Sequence, residues 1–340
     1  MSRQNPLERC LPFLLLLLLA GAGVEVGAKE VRYLSGNPAD VHVKMSGPAY
    51  DLGGGSTDVV PALQWMINEV RGCEKCGTKL DVVVLRSSGA DGYNELIAAL
   101  DGVDSIETLV ITSREDANSA GVRATVRDAE VIFFAGGDQC NYVTYFKGTE
   151  VERGVEYVHS KGGGVGGTSA GLAILGGAVY DACSGGSAQS PQSLRNPYHA
   201  DISFTYDFFD WPPLRGTITD THFSRRDRMG RLLVFIARQI ADGASRRALG
   251  VAVDEKTSLV VDKQGRARVL GDGATYFVLG DHKPEVCRPG TPLTFSDYKI
   301  WKIPTGGTFD LRKRPKTGYY LVSVSDGKIT SDPYSPARTK

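Results

Sequence analysis

Residues 162–177 read GGGVGGTSAGLAILGG, with a single serine, Ser169, set among glycines. Glycine inside a regular element costs about 0.5–1 kcal/mol relative to alanine, so such a run calls for a compensating reason. A sharp turn is one. Gly167-Thr168-Ser169-Ala170-Gly171 is a G-x-S-x-G element that follows a glycine-rich, strand-like stretch and leads into the apolar LAILGG. That is the setting of a nucleophile elbow, in which a tight strand-to-helix turn lifts a serine hydroxyl above the sheet and small neighbours avoid collision. The helix start beneath it offers unpaired N–H donors to a developing oxyanion. Glycine-rich turns also bind phosphate or simply pack, so the surrounding pattern decides the reading.

That pattern alternates. LDVVVLRSSG (80–89) is a continuous apolar run ending in turn residues, as in a strand buried on both faces, and YNELIAALDG (93–102) carries helical spacing. ETLVITS (107–113), EDANSAGVRATVRDA (115–129) and EVIFFAGGD (130–138) repeat the scheme, followed by a helical stretch over 143–162 and the strand-like GGVGGTSAG (163–171). Strands alternating with helices predict an α/β fold, a mostly parallel sheet with helices on both faces. After about residue 250 short alternating segments such as VAVDEKTSLVVD and GYYLVSVSDGKI predict an antiparallel continuation. No repeat or low-complexity linker divides the chain, so residues 29–340 read as one domain whose β-rich part begins near 257.

A serine needs a base to act as a nucleophile. Of the five histidines, at 42, 159, 199, 222 and 282, His222 is the best placed. It lies where the β-rich TITDTHF passes into a helix with the apolar positions of LLVFIARQI, at the carboxyl end of a strand, where α/β sheets gather their sites. His199, in the loop-like NPYHADIS, is the second candidate, and the other three read as surface residues. Arg226, Arg228 and Arg231 follow His222, and guanidinium groups suit two-point recognition of a carboxylate, which points to an acidic substrate. Cations at a helix N-terminus run against its dipole and so require a reason.

Composition narrows the remaining classes. Lys+Arg and Asp+Glu both number 39 in 340 residues, so no global field recruits nucleic acid or an acidic membrane, and any charge selectivity must be local. Residues 1–28 carry Arg3 and Arg9 and then LPFLLLLLLAGAG, a run shorter than the roughly 20 apolar residues of a membrane span. They read as a cleavable signal peptide, with cleavage after Ala28 favoured over Ala22, which predicts a secreted or periplasmic protein free of the membrane after processing. The mature chain keeps Cys73, Cys76, Cys140, Cys183 and Cys287, an odd number that leaves at least one free. CEKC at 73–76 has no second CxxC or HxxxH to complete a zinc site, so no metal or other cofactor is expected.

Four ordered motifs carry a resemblance: FFAGGDQ (133–139), GGTSAG (166–171), the D-x-HFSxRxRxxRL segment (220–232) and GVAVDE (250–255). Together they resemble cyanophycinases, relatives of the aspartyl dipeptidases in one serine peptidase family, over nearly the whole mature chain. The resemblance implies a three-layer fold of the flavodoxin-like, class I glutamine amidotransferase-like kind. It implies Ser169 as nucleophile, His222 as base and Glu255 as the acid that orients it, with Asp181 as the alternative acid. Gly137 and Ala170 would supply oxyanion N–H groups, and Gln139, Asp220, Arg226, Arg228 and Arg231 would shape the substrate pocket. The implied substrate is an aspartyl-containing peptide or cyanophycin-like polymer, and a homodimer is suggested. One position departs: Thr221 stands where the family often has glutamine. The aromatic insertion at 184–213 is expected to alter the pocket wall.

Overall fold

A computed structural model describes residues 31–335, so the expected signal peptide lies outside the described residues. The chain opens with β1 (Val31–Gly36), β2 (Ala49–Gly53) and α1 (Val60–Arg71), then β3 (Leu80–Arg86), buried at its first six positions as its unbroken apolar run requires. Next come α2 (Asn94–Ala98), β4 (Val103–Val110), α3 (Ala120–Asp128) and β5 (Val131–Phe134). The helical stretch expected over 143–162 is two helices, α4 (Gln139–Phe146) and α5 (Glu150–Ser160). Asp138 starts the first of them, its carboxylate accepting from the Cys140 N–H. The glycine-rich stretch is β6 (Gly164–Thr168), followed by the short α6 (Ala170–Ala173).

Beyond the elbow lie β7 (Ala178–Tyr180), α7 (Ser190–Arg195), β8 (Phe204–Tyr206), β9 (Thr217–Asp220), α8 (Met229–Ala241) and β10 (Ala248–Val253). The alternating C-terminal segments form β11 (Thr257–Val261), β12 (Arg266–Gly271), β13 (Ala274–Gly280), β14 (Phe295–Pro304), β15 (Thr308–Asp310), β16 (Tyr320–Ser325) and β17 (Lys328–Ile329).

The α/β architecture read from the sequence holds, and the strands divide between two sheets. The first has the order β1-β4-β3-β5-β6-β2-β11-β12-β15, parallel from β4 to β2 and antiparallel at its flanks. In the second, ordered β17-β16-β14-β13-β10-β9-β7-β8, only β10, β9 and β7 run parallel. Period-two alternation on β3 shows the layering: Val82 and Val84 face a core shared with α1, while Val83 and Leu85 face one shared with α3, α5 and the second sheet. The far face of the second sheet is covered by α8, whose residues 229–237 are all buried.

The aromatics of the insertion do not line the pocket. Phe208, Phe209 and Trp211 are buried in the inter-sheet core, and Trp211 packs on His159 with ring centres 4.6 Å apart. This corrects the surface assignment of His159: its Nε2 is 2.6 Å from the Tyr50 hydroxyl, and burial pushes its pKa down to about 4.

Candidate active site

Strand ends from both sheets meet here: Ser169 directly follows β6 of the first sheet, while His222 and Glu255 stand two residues past the neighbouring parallel strands β9 and β10 of the second. The elbow is tight. A side chain on Gly171 would overlap the Phe134 carbonyl oxygen, which is why the turn is built from glycine there. Ser169 has φ of 53°, uncommon for a residue with a side chain, and its N–H is held by the Gly53 carbonyl at 3.0 Å. His222 is also left-handed, at φ 47°, with its N–H on the Gly54 carbonyl at 2.7 Å.

These constraints aim the side chains at one another. Ser169 Oγ lies 2.8 Å from His222 Nε2, and His222 Nδ1 lies 2.7 Å from Glu255 Oε1. With Nδ1–H donating to the carboxylate, Nε2 remains free to accept the serine proton. Burial pushes the His222 pKa below the ordinary imidazole value, the Glu255 hydrogen bond opposes that, and Arg226 and Arg228 reinforce it. Glu255 is held below the usual carboxylate range, first by its hydrogen bond with His222. The chain thus presents a neutral imidazole between a hydroxyl and an ionised carboxylate near neutral pH, an arrangement suited to acyl transfer.

Asp181 is elsewhere. It is buried at the start of the pocket wall, where its carboxylate accepts from the Cys183 N–H at 3.0 Å, from Thr205 Oγ1 at 2.8 Å and from Ser203 Oγ. His199 Nδ1 likewise accepts from the Asp201 N–H within the insertion, and His222 is the histidine that meets Ser169.

A cavity of about 380 Å³ opens over Ser169, and its lining includes Gly137, Gln139, Ala170, Arg226, Arg228 and Arg231. The arginines differ in their freedom. Arg231 is buried, with Nε and Nη2 on the two oxygens of buried Asp220 at 2.8 and 2.5 Å, so its charge is already matched. That pair also explains how a cation is tolerated in the first turn of α8. Arg228 lies 3.6 Å from the same carboxylate, and burial pushes its guanidinium down to about 10. Thr221, at the family's usual glutamine position, accepts from Arg228 Nη1 through its carbonyl at 2.8 Å and its hydroxyl at 3.2 Å. Arg226 is half-exposed and stands 3.9 Å from Glu255.

Sequence reasoning passed over two elements. The turn at Gly54 and Gly55, directly after β2, cradles the imidazole: Gly55 has φ of 97°, and a side chain there would fall on the His222 ring. Its signature, glycines directly after a buried strand, is the same as that of the elbow. The second is the Cys140–Cys183 disulfide, which ties α4, beside Gln139, to the wall formed by Ala182, Gly185 and Gly186. A second disulfide joins Cys73 and Cys76, and Cys287 is free. Among the described residues no group of three or more His, Cys, Asp or Glu side chains could hold a metal ion, and no helix is long and apolar enough to cross a membrane.

No protein-family profile matches the chain. Individual relatives do. It is 29% identical over 221 residues to the cyanophycinase of Trichormus variabilis, covering 63% of this chain and 67% of that protein. Against the cyanophycinase of Synechococcus elongatus identity is 29% over 240 residues, 66% of this chain and 69% of the relative. Among solved structures, a peptidase from an acI-B1 Actinobacterium superposes with a TM-score of 0.54 at 16% identity, over 78% of this chain and 98% of its own, a likeness of fold. These likenesses to cyanophycinases support a hydrolase or peptidase, and the Ser169–His222–Glu255 line is consistent with a serine type.

Proposed function

We propose that the chain is an exported serine peptidase that cleaves β-aspartyl-arginine bonds through an acyl-enzyme on Ser169. The observation that carries this reading is the unbroken line from Ser169 Oγ through His222 to Glu255, at 2.8 and 2.7 Å. In the proposed reaction His222 Nε2 takes the serine proton as Oγ bonds to the scissile carbonyl carbon, and the oxyanion is held by the Gly137 and Ala170 N–H groups. His222 then returns the proton to the leaving amine as the C–N bond breaks. Water repeats the sequence in reverse and releases the acid.

Arg228 would position the substrate carboxylate. It faces the cavity, and its nearest carboxylate, Asp220, is already committed to Arg231. A substrate lacking that carboxylate would leave this largely buried guanidinium sharing only the Asp220 carboxylate 3.6 Å away, a penalty able to separate substrates by orders of magnitude. Two disulfides among the described residues support the export reading, since such bonds persist in oxidising compartments.

The test is hydrolysis of β-Asp-Arg polymer and of α- and β-aspartyl dipeptides by the chain from Lys29 onward, with Ser169→Ala as control. Turnover of a β-aspartyl substrate, lost by about 10³-fold or more in the control, is expected. Turnover confined to α-aspartyl dipeptides would replace the bond assignment. Binding without any turnover would replace the peptidase reading with that of a peptide-binding protein.

A further inference from the structure

A second cavity, of about 600 Å³, lies at the other end of the second sheet and shares no residue with the cavity over Ser169. Arg215 and Arg247 line it just before β9 and β10 begin, whereas His222 and Glu255 follow the far ends of those parallel strands. The six residues of β10, at roughly 3.3 Å each, put about 20 Å between the two edges.

Seven cationic side chains line this cavity and no carboxylate does, in a chain whose formal net charge is zero. Nearby acids neutralise only some of them. Arg215 is paired at two points with Asp210, at 2.5 Å each, and Lys299 takes Asp281 at 2.7 Å. Arg247 reaches that same Asp281 only at 4.0 Å. Arg312 donates to the Lys263 carbonyl at 2.9 Å. Among the described residues the side chains of Lys313, Arg314 and Lys316 have no hydrogen-bonding or anionic partner. Arg314 is half-buried with φ of 42°, and burial together with the like charge of Arg247 pushes its guanidinium down. Converging cations without counter-charge repel one another until an anion joins them, and the guanidinium fork fits tetrahedral oxyanions at two points.

We infer that this cavity is a binding site for an anion carrying several sulfate or phosphate groups, gripped by the half-buried Arg314 and by the exposed Arg247, Lys313 and Lys316 around it. A single-stranded nucleic acid fits less well, because it needs free aromatic faces for its bases. Trp301 is buried, its ring is packed by Phe309 and Tyr319, and its N–H is bonded to the Thr317 carbonyl at 2.8 Å.

Calorimetric titration of the full chain with a sulfated heparin tetrasaccharide and with inorganic triphosphate tests the site. One-to-one binding that weakens with salt is expected, and it should fall by about tenfold or more in Arg247→Gln/Arg314→Gln. The control Arg266→Gln/Arg268→Gln removes the same charge from exposed positions outside the cavity and should leave affinity near wild type. Thermal melting reports whether the first variant folds; if it does not, the exposed pair Lys313→Gln/Lys316→Gln must show the loss instead. Tighter binding of the tetrasaccharide identifies the anion as a sulfated sugar, and tighter binding of triphosphate identifies it as a polyphosphate. Absence of saturable binding, equal losses in the cavity variant and the control, or a preference for short single-stranded DNA would each overturn the site.

Discussion

Ser169, His222 and Glu255 each stand one or two residues past the end of a strand, whereas the facing wall of the same cavity, at Ala182, Gly185, Gly186 and Ser187, is a loop tied down by neighbouring side chains. The first group inherits its positions from backbone pairing. Gly53 pairs with Thr168, Asp220 pairs with Ala252, and the carbonyls of Gly53 at the end of β2 and Gly54 just after it accept from the Ser169 and His222 N–H groups. The wall depends on the Asp181 carboxylate, with its bonds to Cys183, Ser203 and Thr205, and on the Cys140–Cys183 bridge. Sheet edges fix reacting atoms closely because a strand cannot slip by less than a residue pair without losing its ladder, while a loop can rearrange one contact at a time. On the proposed function, chemistry belongs to one side of the cavity and substrate fit to the other.

The sharpest way to break that division is to compare its two acids. Glu255→Gln is expected to lower kcat by about 10²- to 10⁴-fold, because the imidazole loses the partner that fixes its tautomer. Asp181→Asn should leave kcat near wild type and raise KM. Steady-state kinetics on both variants decides, and equal losses in kcat would abolish the distinction. Gly55→Ala comes next. Its new methyl must displace the His222 ring, so kcat should drop by about 10²-fold, and the left-handed backbone at this position should lower the melting temperature as well.

On the wall side, Cys140→Ser/Cys183→Ser opens a 43-residue separation and should cost about 2–4 kcal/mol in denaturant unfolding. It should raise KM more than it lowers kcat; a fall confined to kcat would show that the bridge serves the reacting groups instead. The smallest effect is on pH dependence. Activity requires neutral His222, so kcat/KM should fall as pH drops through a pKa below the ordinary imidazole value. Arg226→Gln removes a neighbouring positive charge and should move that limb upward, while Glu255→Gln removes a stabilising partner of the imidazolium and should move it downward. A pH–rate profile of each variant checks both signs.

Much of this was legible in the sequence because the decisive signals are local. G-x-S-x-G between a glycine run and an apolar helix start defines the elbow within a few residues, and the strand-to-helix passage at TITDTHF places His222 at a sheet edge. The alternating runs from residue 80 to 170 likewise fix the α/β class through burial periodicity alone. Choosing between Glu255 and Asp181 required the pairing of β9 with β10, a contact between segments about thirty residues apart that no local pattern encodes. The division into two sheets, the packing of His159 against Trp211 and the placement of Arg247 and Arg314 at one cavity are of the same kind. Which elements form, and which end of each carries polar groups, follows from local chain chemistry, since backbone sterics and burial act over neighbouring residues. Which of those groups meet follows from strand order and register, and these are set by the packing of the whole chain.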